Sequence, residues 1–292
     1  MSAEMRGGVA ALLLCALLWA SPAAARANVV FLLPQPGHGD AQFFAAAQRY
    51  YAAQPEVNAV VDSASTLLQV REWLQHSDLR GDAPWGRIVL VAHGSRWTGL
   101  ALPIFDDEGV APPGRWREVA SRGEFLPLAP GVIDAHTELW IESCGLGTRR
   151  DLLAYLGQML AGDLALTPHA AHGLVAFGES DGQVWRRELD YGARIRPRRG
   201  APIAPEGMRA LPIEFRLAFA SSVPCAEVDR RSLLRPGTPM RQTLSDHGLA
   251  PRDLSFELLA QGQGCVLRGR GSLLISAQSA WTLPAVIGAE VP

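Results

Sequence analysis

The chain has 292 residues, 48% of them hydrophobic, which is enough to bury a sizeable core. Its 27 basic and 29 acidic side chains leave a net charge of −2, which gives no support to nucleic-acid binding. Lysine does not occur, and arginine does all the ordinary work of surface cations, which makes any single arginine cluster less informative.

Residues 1–27 read as a secretory signal. Arg6 gives a basic start, "VAALLLCALLWA" is an apolar core too short to span a bilayer, and "AARA" ending at Ala27 carries the small-x-small cleavage pattern. Cys15 lies in that core behind the bulky Leu14, which argues against a lipid-attachment box. No later stretch reaches the roughly 20 apolar residues of a membrane span. An exported chain is expected, periplasmic or secreted, with no stable membrane anchor after cleavage.

From Asn28 the pattern alternates. "NVVFLL" is a short apolar strand. "DAQFFAAAQRYYAAQ" is a helix with Asp40 as its N-cap and Phe43, Phe44, Ala47, Tyr50 and Tyr51 on one face. "VNAVV" is a second strand, and "STLLQVREWLQ" a second helix with Leu67, Val70, Trp73 and Leu74 in register. "RIVLVAHGS" is a third strand, followed by a proline-rich, irregular segment; "ELWIES" is a fourth. Thr148 and Asp151 match a capping box for the helix "RRDLLAYLGQML". "GLVAF" at 173–177 is a fifth strand and "LPIEFRLAFA" a sixth. Strands alternating with helices predict an α/β domain over 28–222, a mainly parallel sheet flanked by helices on both faces. Residues 223–292, with "DLSFELLA", "CVLRGRG" and "SLLISA", read as a small, mostly β appendage.

Removal of the signal leaves Cys144, Cys225 and Cys265, an odd number in a chain bound for an oxidising compartment. Cys225 and Cys265 sit in loop-like settings in the C-terminal third and are expected to pair. Their loop would contribute roughly 4 kcal/mol on the chain-entropy model. Cys144 is then free, either a buried inert thiol or a nucleophile.

Ligands bind open parallel sheets beyond the carboxyl ends of the strands, and two of those ends carry reactive side chains. His93 follows "RIVLVA" and Cys144 follows "LWIES". A thiol needs a base or cation to reach the thiolate, and neighbouring strand ends bring distant residues together. The helix start after Cys144 would favour the anion, and Gly94 and Gly145 would leave backbone N–H groups open to a reacting carbonyl oxygen.

"VLVAHGS" and "LWIESCGLGT" resemble the pattern of the caspase-like cysteine peptidases: caspases, metacaspases, gingipains, clostripain and the CHAT domains. The resemblance spans residues 28–190 in element order. It implies a caspase-like fold and a cysteine endopeptidase acting on a peptide or protein, with Cys144 as nucleophile and His93 as general acid/base. The N–H groups of Gly94 and Cys144 would form the oxyanion hole. It further implies that Glu142, two residues before Cys144, reaches the pocket for the substrate's P1 side chain and favours arginine or lysine there; Asp181 would add a second acid. The alternative for Glu142 is a salt bridge to a neighbouring arginine. Family members often mature by cutting a loop, and the arginine-dense segment 186–208 offers the bonds after Arg196 and Arg199. The acids that bind calcium in metacaspases have no counterpart here.

Two rival classes remain. "GLVAFGESDGQVW" fits strand, Gly-x-Ser-x-Gly, helix, the nucleophile elbow of α/β-hydrolases, with Ser180 as nucleophile and Asp190 or Asp229 with His247 completing a triad. A caspase-like binding module without activity is the other. His38, His136, His169 and His172 lack tight metal-ligand spacing, so neither a catalytic metal nor a cofactor is expected.

Overall fold

The structure, a computed structural model, describes residues 26–35, 41–164, 166–189, 194–197, 208–219, 224–247, 249–262, 264–276 and 286–291. In chain order the first elements are β1 (Val29–Leu32), α1 (Ala41–Ala52), β2 (Ala59–Val61), α2 (Leu67–His76), β3 (Arg87–Val91), β4 (Gly94–Ser95), β5 (Gly99–Leu100) and α3 (Pro113–Arg122). Then come β6 (Glu138–Glu142), α4 (Arg150–Ala161), β7 (His169–Ala170), β8 (Leu174–Ser180) and β9 (Gln183–Leu189).

Five strands form one parallel sheet in the order β2-β1-β3-β6-β7. Apolar runs build it because both faces are covered, and side chains alternate between them. Val29, Phe31, Ile88, Leu90, Leu139 and Ile141 meet α2, α3 and α4 in one cluster. Val30, Leu32, Val89 and Val91 meet Phe44, Ala47 and Tyr51 of α1 in another. Each fully buried side chain contributes about 1.5–3 kcal/mol relative to exposure. The α/β class with helices on both faces therefore stands.

Several local expectations change. The proline-rich segment contains α3, which has Pro113 in its first turn and the left-handed Gly123 after its end, and which buries Trp116 and Val119. The capping box at Thr148 does not form. A tight turn at Leu146–Thr148 precedes α4, Thr148 Oγ1 donates to the Gly145 carbonyl, and Asp151 takes the Arg149 guanidinium instead. The N-cap expected at Asp40 and the signal-sequence features before Arg26 lie outside the described residues, as does His38. Arg26 and Ala27 belong to the folded body: Arg26 grips Asp134 at 2.7 and 2.6 Å, and the Ala27 carbonyl accepts the Gly86 N–H.

The fifth strand of the parallel sheet is His169–Ala170, where "GLVAF" was expected. "GLVAF" turns away into β8 and pairs antiparallel with β9 through the two-residue turn Asp181–Gly182. Both turn residues have positive φ (52° and 73°), as a primed hairpin turn requires. A hairpin occupies the place where a nucleophile elbow would need a helix, so Ser180 is not set on a strand–helix turn.

The remaining elements are β10 (Arg194–Pro197), β11 (Met208–Phe219), α5 (Arg230–Leu233), α6 (Pro239–Asp246), β12 (Ser255–Gln261), β13 (Gly264–Ser276) and β14 (Val286–Val291). Their strands form a second sheet in which β13 pairs antiparallel with β10, β11 and β12, and β14 runs parallel to β11. "LPIEFRLAF" therefore joins this sheet and does not complete the parallel one. The C-terminal β unit draws on the chain from Arg194 onward, earlier than residue 223. Cys225 and Cys265 are joined by a disulfide across a separation of 40 residues. Among the described residues no helix is long and apolar enough to cross a membrane.

Candidate active site

The site is assembled by strand register. β3 and β6 pair in parallel up to Val91↔Glu142, and the Ala92 N–H still reaches the Glu142 carbonyl at 3.2 Å. His93 lies two residues past Val91, and Cys144 two residues past Glu142. They hold equivalent positions on adjacent strand ends, where parallel neighbours run about 4.8 Å apart.

His93 leads into a small loop. Its carbonyl accepts the Ala101 N–H at 2.8 Å, and β4 and β5 close a turn in which Ser95 Oγ accepts from the Trp97 and Thr98 amides. The imidazole packs on the first turn of α1, with ring centroids 4.9 Å from Phe43 and 5.1 Å from Phe44. Gly94 must be glycine: an added Cβ would stand 2.6 Å from the Gly99 carbonyl oxygen and 2.5 Å from Ser143 Oγ. Ser143 is itself buried, and its hydroxyl has no hydrogen-bond partner among the described residues.

Cys144 is half-buried and packs against the cluster that holds Trp97, Leu174 and residues of the C-terminal unit. Burial pushes its thiol above the ordinary value and Glu142 pushes it further, while a backbone N–H from Val175 pulls the other way. The favourable helix start expected for the thiolate does not prevail. α4 begins only at Arg150, and desolvation outweighs it. Gly145, at φ 69°, gives its N–H to the Gly173 carbonyl at 2.8 Å, so that amide is not open to a reacting oxygen. Gly94 and Cys144 bring their backbones to the same sheet edge.

Glu142 is not an open acid. Its side chain is buried, with Arg186 of β9 at 2.8 Å and the Tyr51 hydroxyl donating at 3.1 Å. The guanidinium bonds both carboxylate oxygens, and burial with the adjacent carboxylate drives the Tyr51 phenol far upward. Of the two alternatives for Glu142, the salt bridge is the one formed. Asp181 sits at the exposed tip of the β8–β9 hairpin, six residues beyond Val175 and so about 20 Å from the Cys144 end. Register sets His93, Gly94 and Cys144 at the carboxyl ends of neighbouring strands, and Asp181 lies at the far tip of the hairpin.

Among the described residues, the rival triad's acid and base candidates are engaged elsewhere. Asp229 caps a short helix, His247 is turned to the Trp97 carbonyl at 2.7 Å, and Asp190 lies outside the described residues. Of the proposed self-cleavage bonds, Arg196 is held in the β10–β13 ladder opposite Ser272, and Arg199 lies outside the described residues. No cluster of three His, Cys, Asp or Glu able to hold a metal occurs among the described residues. A cavity of about 640 Å³ lies between α4 and the β7 edge, lined by Trp140, Arg150, Gln158, His169 and His172. A second of about 240 Å³ adjoins Glu142 and Arg186. Neither is lined by His93 or Cys144.

Sequence reading missed Arg149 and placed His247 only in the rival triad. Arg149 carried a faint signal, since a basic pair at a helix start opposes the helix dipole and asks for a partner. Comparison with protein-family models, with curated proteins and with solved structures finds no match for this chain.

Proposed function

We propose that the chain is an exported cysteine endopeptidase of caspase-like type, with Cys144 as nucleophile and His93 as general acid/base. One observation carries the reading: a histidine and the only free cysteine among the described residues end adjacent parallel strands in equivalent register. The disulfide Cys225–Cys265 supports an oxidising compartment.

Because burial keeps the resting thiol protonated, His93 acts as a general base during attack, without a standing ion pair. The imidazole takes the thiol proton as sulfur bonds the scissile carbonyl carbon. It then returns that proton to the departing amine, leaving a thioester. A water, deprotonated by the same imidazole, attacks the thioester and releases the carboxylic acid and the thiol. The amides of Gly94 and Cys144 are the candidate donors to the oxyanion. Glu142 is committed to Arg186, so this reading assigns it no role in choosing P1.

Turnover of a mixed peptide library by wild type, Cys144→Ala and His93→Ala tests the proposal. Cys144→Ala should abolish cleavage, and His93→Ala should lower it by several orders of magnitude. Unchanged turnover in either folded variant contradicts the assignment.

A non-catalytic caspase-like binding module is favoured by one observation, the raised Cys144 thiol beside a neutralised Glu142. It predicts a Cys144 that reacts no faster than an ordinary buried thiol, with or without His93.

A further inference from the structure

Two buried cations or donors converge on consecutive carbonyls of the loop that follows His93. Arg149 Nη1 donates to the Arg96 carbonyl at 2.9 Å. His247 Nδ1 lies 2.7 Å from the Trp97 carbonyl. A carbonyl only accepts, so Nδ1 carries the proton and donates. Arg149 and His247 are both buried, at 6% and 4% exposure, which makes each bond costly to lose.

Each donor is itself fixed. Arg149 ends the loop that begins at Cys144, and Asp151 grips its guanidinium at 2.9 and 2.8 Å. That loop is pinned in turn by Gly145 and Gly147, whose N–H groups bond the Gly173 and Ala171 carbonyls. His247 follows α6 in the C-terminal unit and packs edge-on against Phe215 of β11, with ring centroids 4.9 Å apart. Trp97, 2% exposed, is buried in the same cluster as Phe215, Leu244 and Leu249, and Cys144 packs against that cluster.

We infer that Arg149 and His247 are positioning residues that brace the His93 loop against the Cys144 strand end, so that the C-terminal unit is a working part of the site. The inference rests on the reading of Cys144 and His93 as a dyad. Arg149 ties the histidine loop to the cysteine loop, and His247 ties it to the second sheet. A displacement of about 1 Å between reacting groups costs up to about a hundredfold in rate, which sets the size of the expected effect.

The test uses the full chain with Arg149→Lys, His247→Phe and His247→Asn, each checked for cooperative melting. Lysine lacks the fork that serves Asp151 and Arg96 together. Phenylalanine fills the His247 site without a donor, whereas the asparagine amide N–H stands near where Nδ1–H stood. Peptide turnover and the nuclear magnetic resonance signals of the His93 ring are both measured. Arg149→Lys and His247→Phe should lower kcat about ten- to a hundredfold with KM within about twofold, and should move the His93 signals. His247→Asn should recover most of both. Folded Arg149→Lys and His247→Phe with wild-type kcat and unmoved His93 signals overturn the brace. If the wild type cleaves nothing, the dyad reading fails and the ring signals alone decide. Movement in His247→Phe with recovery in His247→Asn upholds the brace, and unmoved signals overturn it.

Discussion

In the parallel sheet β1, β3 and β6 put apolar side chains on both faces, Phe31 and Leu90 toward α2–α4 and Val30 and Val91 toward α1. β11 of the C-terminal sheet instead buries Ile213, Phe215 and Leu217 on one face. On the other it sets Glu214 and Arg216 among Arg268, Arg270 and Glu257. The contrast decides what a charge is worth in each place. Glu142 is a charge in a double-faced core and needs Arg186, whereas the C-terminal charges sit where water screens them.

The C-terminal unit should depend most on its crosslink. Replacing Cys225 and Cys265 together by alanine is expected to cost about 4 kcal/mol, the entropy of a freed loop of this length. The loss should appear as earlier unfolding of that unit, followed by proteolysis within 208–276 while the parallel sheet still resists. Simultaneous loss of both regions would show that they unfold as one.

Removing Arg186 should rank next. Arg186→Met leaves the buried Glu142 carboxylate uncompensated, at an expected cost of about 3 kcal/mol in denaturant titration. Glu142→Gln in the same chain should restore most of that loss, since the double variant buries no net charge. A single variant as stable as wild type would mean that solvent reaches Glu142.

His247 gives a pH signature. Burial pulls its imidazole down to about 4 from 6.5, with the Trp97 carbonyl opposing and Arg149 assisting. The unfolded chain therefore takes up a proton below about 6.5 that the folded chain refuses until about 4. Stability should fall across that window by about 2–3 kcal/mol as pH is lowered, and be unaffected by this group above it. Asp246, raised chiefly by burial, titrates in both wild type and His247→Asn, so the difference between their stability curves isolates the histidine. Parallel curves would contradict the buried, neutral assignment.

The smallest effect belongs to the exposed ladder. Arg216→Ala should change stability by less than about 1 kcal/mol, and less again at high salt.

Legibility in the sequence follows the same contrast. β1, β3 and β6 were readable because strands buried on both faces are continuous apolar runs, and His93 and Cys144 stood out as the reactive residues ending two of them. "GLVAF" is equally apolar, but which strand it joins is set by the Asp181–Gly182 turn, which gives it an antiparallel partner. β7 has only two paired residues and no apolar signature. Helix α3 was hidden by the prolines before it, although Pro113 and Gly123 mark its ends. Arg149 and His247 act through carbonyls of a distant loop. Such contacts leave no spacing pattern, and in a chain where arginine is the only strong base one more arginine draws no notice.

The dyad itself is tested most directly by covalent labelling. A peptidyl acyloxymethyl ketone library is incubated with wild type, His93→Ala and Cys144→Ala at neutral pH, and adducts are mapped by mass spectrometry. The account predicts rapid, single modification of wild type at Cys144, labelling slowed by at least about a hundredfold in His93→Ala, and none in Cys144→Ala. Equal labelling rates at Cys144 with and without His93, in folded protein, would contradict it.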